Sequence, residues 1–245
     1  MGTKEKVATK NITKKAVAKP FFAPNEKTVL VLRTCNADMT SCGGFVWPKS
    51  GPVEAPDWKN TKECGNGLHG FLWGEGDGSL ASWDSDAVWL VVRVAEDLIV
   101  NLDGKVKFPR GVVEFAGSRL DATNYIAERR RGAIVGGTST SGNYGTSTSG
   151  DCGTSTSGYY GTSTSGNYGT STSGYYGTST SGDGGTSTSG DGGTSTSGYG
   201  GTLVLTHWDG KRKRLVVLYV GENGILPNVP YKLDDDGKPV RADGK

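Results

Sequence analysis

Methionine and histidine occur twice each, cysteine four times, and apolar residues fill only 34% of the 245 positions. No apolar run approaches the roughly 20 residues that a membrane-spanning helix needs, so a helical membrane protein is excluded. The first residues hold no apolar stretch of the secretory type, and they are Lys-rich where a transit peptide is Arg-rich. Secretion through a signal peptide is therefore not expected. With no such signal, four cysteines read as reduced thiols and not as a disulfide framework. Net charge is +2, which by itself implies no partner. Gly74 to Gly78 is glycine-rich but leads into no Lys and helix, so it is not a phosphate loop. No Gly-x-Ser-x-Gly elbow stands on a strand–helix turn.

Glycine, by contrast, occurs 40 times, more than twice its usual share. Residues 137–200 hold 19 Gly, 16 Thr and 16 Ser in 64 positions. They read as eight consecutive octads of the form Gly-Thr-Ser-Thr-Ser-Gly-x-x, with six positions identical in all eight. An unbroken period of this kind marks a solenoid, an array or a flexible linker. Alternating Thr favours extended structure, in which residues two apart share a face. Thr138 and Thr140 then point one way, and Ser139 and Ser141 the other. Glycines at octad positions one and six are expected to supply positive φ at the corners. One octad is too short to enclose a core, so two make a coil of 16 residues, and four coils result. Stacked at about 4.8 Å, they span roughly 20 Å. Alternate octads then occupy opposite corners. Tyr144, Tyr160 and Tyr176 stack along one edge, with Tyr159 and Tyr175 beside them. With Thr outside, the interior is Ser and Gly, and the Ser hydroxyls must bond to one another or to backbone.

Ser157 to Thr164, Ser-Gly-Tyr-Tyr-Gly-Thr-Ser-Thr, resembles the octads of bacterial ice-nucleation proteins, which run along the lines of Ala-Gly-Tyr-Gly-Ser-Thr-Gln-Thr. The match falls at Gly158, Tyr159, Thr162 and Thr164. The resemblance implies a β-solenoid with outward Thr-x-Thr rows and covers only the repeats.

Four segments follow from these patterns: a basic tail over 1–27, a globular head over 28–136, the solenoid over 137–200 and a β cap over 201–245. The tail carries seven Lys and two Glu, which offers contact to nucleic acid. Arg129 to Arg131 and Lys211 to Arg214 flank the repeats. In the head, Thr28 to Thr34 and Val88 to Val94 read as buried strands. Leu98 to Val100 and Gly111 to Phe115 read as further strands, with a turn at Asn101 to Gly104. Ser118 to Arg131 reads as helical. In the cap, strands at Thr202 to Thr206 and Leu215 to Val220 flank a turn at Asp209-Gly210.

The arrangement also resembles a family of phage and prophage proteins. Those pair a small domain bearing Cys-x-Gly-Phe and Cys-x-Asn-Gly-Phe-His motifs with octad repeats and a short β cap. Cys42-Gly-Gly-Phe45 and Cys64-Gly-Asn-Gly-Leu-His69 carry the resemblance, with Leu68 in place of Phe. Val220 to Ile225, Tyr231 to Leu233 and Asp236 to Val240 also fit. It implies a phage-encoded protein of the host cytoplasm or the virion and is nearly silent on activity.

Two constellations in the head could carry chemistry. Cys35, Cys42, Cys64 and His69 are the residue types of a tetrahedral zinc site, though the first spacing is wider than usual. Arg33, His69 and Glu114 fall in the order of an ADP-ribosyltransferase-like site, Arg for a pyrophosphate and Glu for a ribose hydroxyl. The bland alternatives are buried structural thiols and an Arg–Glu pair.

The reading that results is a mostly β, non-enzymatic structural or interaction protein: a small α+β head, a short β-solenoid and a β cap. The solenoid serves as a rigid spacer or as a binding face. Thr146, Thr148, Thr162, Thr164, Thr178, Thr180, Thr194 and Thr196 are the candidate binding residues. Tyr144, Tyr159, Tyr160, Tyr175 and Tyr176 are the candidates for self-association. A protein partner is expected, with no cofactor and no membrane. The alternatives are an ice- or glycan-binding solenoid and an enzymatic or zinc-binding head.

Overall fold

The two apolar runs of the head become neighbouring central strands of one antiparallel sheet. The computed structural model describes residues 21–244, so most of the expected basic tail lies outside the described residues. The strands are β1 (Thr28–Cys35), β2 (Gly51–Glu54), β3 (Leu68–Leu72), β4 (Val88–Ala95), β5 (Val100–Asn101), β6 (Val106–Phe108) and β7 (Arg110–Gly117). Their order across the sheet is β2-β7-β4-β1-β3-β6-β5. Val29 and Val31 face one apolar layer with Trp47, Val92 and Phe108. Leu30 and Leu32 face another with Phe71, Val91, Ala122 and Ile126. A strand covered on both faces needs apolar residues at every position, which is why these runs do not alternate.

Helix α1 (Arg119–Ala127) covers the second layer, burying Ala122 and Ile126. The Ser118 side chain caps it by accepting from the Asp121 amide at 3.2 Å, which satisfies a free donor of the first turn. The helix is thus shorter than the expected Ser118 to Arg131. The strand expected at Leu98 to Val100 is also corrected: a 3-10 turn occupies Glu96–Leu98, and pairing is limited to Val100 and Asn101.

After α1, Ile134 packs into the second layer of the head and hands the chain to the repeats. The octads form eight strands: β8 (Thr138–Thr140), β9 (Thr146–Thr148), β10 (Thr154–Thr156), β11 (Thr162–Thr164), β12 (Thr170–Ser173), β13 (Thr178–Ser181), β14 (Thr186–Ser189) and β15 (Thr194–Ser197). Odd and even octads separate into two parallel sheets, β8-β10-β12-β14 and β9-β11-β13-β15. Each residue pairs with the one sixteen ahead, as Thr154 does with Thr170. This is the expected β-solenoid of four coils.

The interior holds almost no carbon beyond the Ser side chains. Ser147, Ser155, Ser163, Ser171, Ser179 and Ser187 are buried. Each donates its hydroxyl to a Thr carbonyl of the opposite sheet, nine residues on, at 2.5–2.6 Å. The second Ser of each octad joins in: Ser149, Ser157, Ser165 and Ser173 lie Oγ to Oγ with Ser155, Ser163, Ser171 and Ser179 at 3.0–3.2 Å, where their own hydroxyls can donate to the first Ser, whose single proton goes to the carbonyl. Every buried hydroxyl is therefore matched, as burial of polar groups requires.

The corners correct one expectation. Positive φ falls on octad position eight, on Tyr144, Cys152, Tyr160, Tyr168, Tyr176, Gly184, Gly192 and Gly200 at 52–69°. The glycines at positions one and six are there for space. A Cβ on Gly174 would lie 2.8 Å from the Gly158 carbonyl carbon, and one on Gly145 would lie 2.7 Å from the Ser141 Cβ. At position one the Ser side chain four residues back leaves no room for a Cβ, and at position six the preceding turn of chain leaves none from Gly150 onward, while Gly142 has open space.

The cap replaces Ser with carbon. Strand β16 (Thr202–Trp208) continues the first sheet, with Leu203 and Leu205 directly over Ser187 and Ser189. Strand β17 (Lys213–Tyr219) pairs with it through the expected Asp209-Gly210 turn. Strands β18 (Tyr231–Leu233) and β19 (Pro239–Arg241) close the second sheet. Leu203, Leu205, Val220, Ile225 and Tyr231 form an apolar plug. The Gly174→Ala variant is expected to lose about 1–3 kcal/mol of solenoid stability in urea denaturation, the usual cost of forcing extra volume into a packed site. Unchanged stability would contradict the close stacking.

Candidate functional site

The outward Thr side chains form two flat faces. The even octads bring Thr146, Thr162, Thr178 and Thr194 into one column and Thr148, Thr164, Thr180 and Thr196 into a second. Their pairing is in register without a bulge. Successive coils lie about 4.8 Å apart, and the two columns about 6.6 Å apart, twice the rise per residue. The eight expected residues thus share one face. The odd octads build an equivalent face from Thr138, Thr140, Thr154, Thr156, Thr170, Thr172, Thr186 and Thr188. The sequence reading named only the first, although the same period encodes both.

The corners give two unlike edges. On one, Tyr144, Tyr160 and Tyr176 stack with ring centroids 5.5 and 5.3 Å apart and planes within 12°. Tyr159 and Tyr175 stack beside them at 5.5 Å and meet Tyr160 and Tyr176 edge-on. All five are exposed by 38–74%. On the other edge, Asp151, Asn167 and Asp183 each accept from the backbone amide sixteen residues ahead, at 2.7–2.9 Å. Asp151 also accepts from the Gly78 amide at 3.0 Å, fastening the first coil to the head.

The head constellations are divided by the sheet. Arg33 and His69 lie together, and an Arg33 Nη donates to the His69 carbonyl at 3.3 Å. Glu114 sits at the β-bulge of β7, where it pairs with Arg93 and accepts from the Tyr125 hydroxyl at 2.9 Å. Arg33, Cys42, Cys64 and His69 line one cavity of about 360 Å³. Cys35 is buried, with its thiol directed to the Val88 carbonyl. Among the described residues, no three His, Cys, Asp or Glu side chains gather closely enough to hold a metal. The flanking basic runs are partly engaged. Arg129 lies over the Tyr125 ring, Arg130 over Trp73, and Arg214 pairs with Asp209.

Residues 29–128 match a domain of unknown function (DUF7666). The chain is 42% identical over 118 residues to an ice nucleation protein of Pseudomonas syringae pv. syringae, covering 47% of this chain and 10% of that protein. It is 46% identical over 101 residues to an ice nucleation protein of Xanthomonas campestris pv. translucens, covering 40% and 6%. The ice nucleation protein InaU of Pantoea ananas is 41% identical over 107 residues, covering 43% and 10%. The octads are ice-nucleation-like repeats. The chain spans a tenth or less of the length of these relatives. No solved structure matches the chain.

The ice-nucleation-like repeats thus carry the regular faces, and the DUF7666 region carries the cationic cavity. Burial, reinforced by the charges of Lys105, Arg33 and Lys107, pushes His69 down to about 4. The Gly65 amide points at its Nε2 at 3.4 Å, which suits a neutral ring. An unfolded chain binds this proton near pH 6.5 and the folded head only near 4. Stability is therefore expected to fall as pH drops through that window, because the unfolded state then binds more protons. The His69→Gln variant should flatten this part of the pH dependence. An NMR titration placing the His69 midpoint at or above 6.5 would contradict the assignment.

Proposed function

We propose that the solenoid is a rigid, non-enzymatic element whose Thr faces bind an ordered lattice, with ice as the first candidate and a regular glycan surface as the second. The observation that carries this is the unbroken, in-register array of Thr on both flat faces. A flexible side chain loses freedom on binding, whereas β-branched Thr has few rotamers to lose. The Ser bonds beneath fix the sheet, so the array is organised before the ligand arrives. The names of the relatives that share these repeats, ice nucleation proteins, point the same way.

In an ice-affinity partition assay, the full chain is expected to concentrate in the ice. Replacing Thr162, Thr164, Thr178 and Thr180 by Lys should remove most of that partitioning if both faces act together, and about half if each acts alone. No partition by the unmodified chain, with binding to an ordered polysaccharide, would move the reading to the glycan.

The stacked Tyr edge supports a second element of the proposal, self-association. Exposed aromatic rings with polar tips are well suited to interfaces. Two chains joined along this edge would double the width of the Thr array. Sedimentation is expected to show concentration-dependent dimers that the double variant Tyr160→Ser, Tyr176→Ser abolishes. Monomers at all concentrations would remove this element and leave the Thr faces standing. The phage setting and the protein partner expected from the sequence belong to this proposal as its context.

A further inference from the structure

The cavity in the head is built by the two motif segments that the solenoid reading leaves unused. Cys42 to Phe45 and Cys64 to His69 lie far apart in sequence, yet both line it. Strand β1 supplies Arg33 and strand β3 supplies His69. Gly43 and Gly65 in its lining adopt φ of 76° and 92° and have open space where a Cβ would be. Such loops leave backbone free to approach a ligand.

The charges in this cavity are unbalanced. Arg33 has no carboxylate partner among the described residues, and its Nε is buried without an acceptor. Its guanidinium lies over the Trp47 ring, 5.6 Å from the centroid. Among the described residues the Lys105 ammonium hydrogen-bonds to the Cys64 thiol alone, at 3.2 Å. Lys107 lies beneath, fully buried, bonded to the Glu63 carbonyl at 2.8 Å and to other neutral oxygens. Asp57 is the one carboxylate in the lining, and Asn66 donates to it. His69 stays neutral. In the lining itself Arg33 and Lys105 stand against Asp57, an excess of one positive charge, and Lys107, bonded to the Gly65 carbonyl, adds a second behind it. The orphaned Nε shows that the protein itself does not complete this guanidinium, and its Nη end, with one bond to the His69 carbonyl, is the part that can meet an anion from the cavity.

We propose that this cavity binds a nucleoside monophosphate, with the phosphate on Arg33 and Lys105 and the ring against Phe45 and Pro56. A phosphate monoester carries close to two negative charges at pH 7, enough to engage both lining cations, Arg33 and Lys105, at once. The planar guanidinium fork suits its oxygens. Half-buried Phe45 and exposed Pro56 are apolar members of the same lining. The volume of about 360 Å³ lies at the small end of ligand cavities, so it fits one nucleotide and not a polymer. This inference is independent of the lattice reading of the solenoid.

The test is calorimetry on the full chain with AMP, adenosine, inorganic phosphate and a 5′-phosphorylated oligothymidylate. AMP is expected to bind at one site, with adenosine and phosphate each at least tenfold weaker. The Arg33→Gln variant should weaken AMP at least tenfold. Arg33 is largely buried, so Lys105→Ala serves as the second variant, with several-fold weakening and an unchanged melting temperature. AMP should also slow alkylation of Cys64, read by peptide mass spectrometry, because Lys105 joins that thiol to the site. No heat with millimolar AMP would overturn the proposal, as would equal affinity in both variants. Phosphate binding as tightly as AMP would overturn the nucleoside class. Binding of the oligonucleotide but not of AMP would move the ligand to a nucleic-acid end.

Discussion

The hydroxyl of the first Ser in each octad, donating across the interior to a Thr carbonyl of the opposite sheet, is the contact on which the solenoid depends. Two sheets facing each other ordinarily stand about 10 Å apart, separated by interdigitated apolar side chains. Here the spacer is one Ser from each side. The sheets come close enough for a side chain on one to bond the backbone of the other. Large apolar residues would force them apart, and alanine would leave the carbonyls without a second partner. Ser is the smallest side chain that fills the gap and also donates.

That constraint propagates outward. Because the interior is thin, the corners must be tight, and position eight takes a left-handed conformation even where the residue is Tyr. The corner Ser side chain at position one, and the preceding turn of chain at position six from Gly150 onward, then exclude a Cβ. A hydroxyl core buries little carbon, so the ends need apolar closure. Leu203 and Leu205 supply it at one end, where they continue the columns of Ser187 and Ser189. At the other end, Ile134 enters the head core and Asp151 accepts from the Gly78 amide. The Thr faces are the outward consequence: the residue between two inward Ser must point to solvent.

The repeat was legible because its period is a direct image of the coil. Sixteen-residue stacking, Thr outside, Ser inside and the Tyr columns all follow from counting positions. The φ at the corners was not legible, since a glycine signals either conformational freedom or lack of space, and only the neighbouring coil decides which. In the head, β1 and β4 announce themselves by runs that are apolar on both faces. The short pairing at Val100 and Asn101 does not, because Leu98 and Ile99 look the same in a 3-10 turn as in a strand. The cavity was half legible. Arg33, Cys42, Cys64 and His69 were singled out for other chemistries, but Lys105 and Phe45 were missed as its lining. Only the antiparallel pairing of β1 with β3 and of β3 with β6 brings those loops together. Glu114 was misleading: β7 lies on the far side of β4, and its bulge directs Glu114 to Arg93.

Hydrogen exchange of the native chain tests most directly whether a rigid, hydroxyl-bonded solenoid exists. The strand amides of β10 to β14 are predicted to be protected and to open together, since each coil is held by both neighbours. Exchange of residues 137–200 at the rates of an unstructured chain, while β1 and β4 of the head stay protected, would contradict it and leave the repeats as a flexible linker.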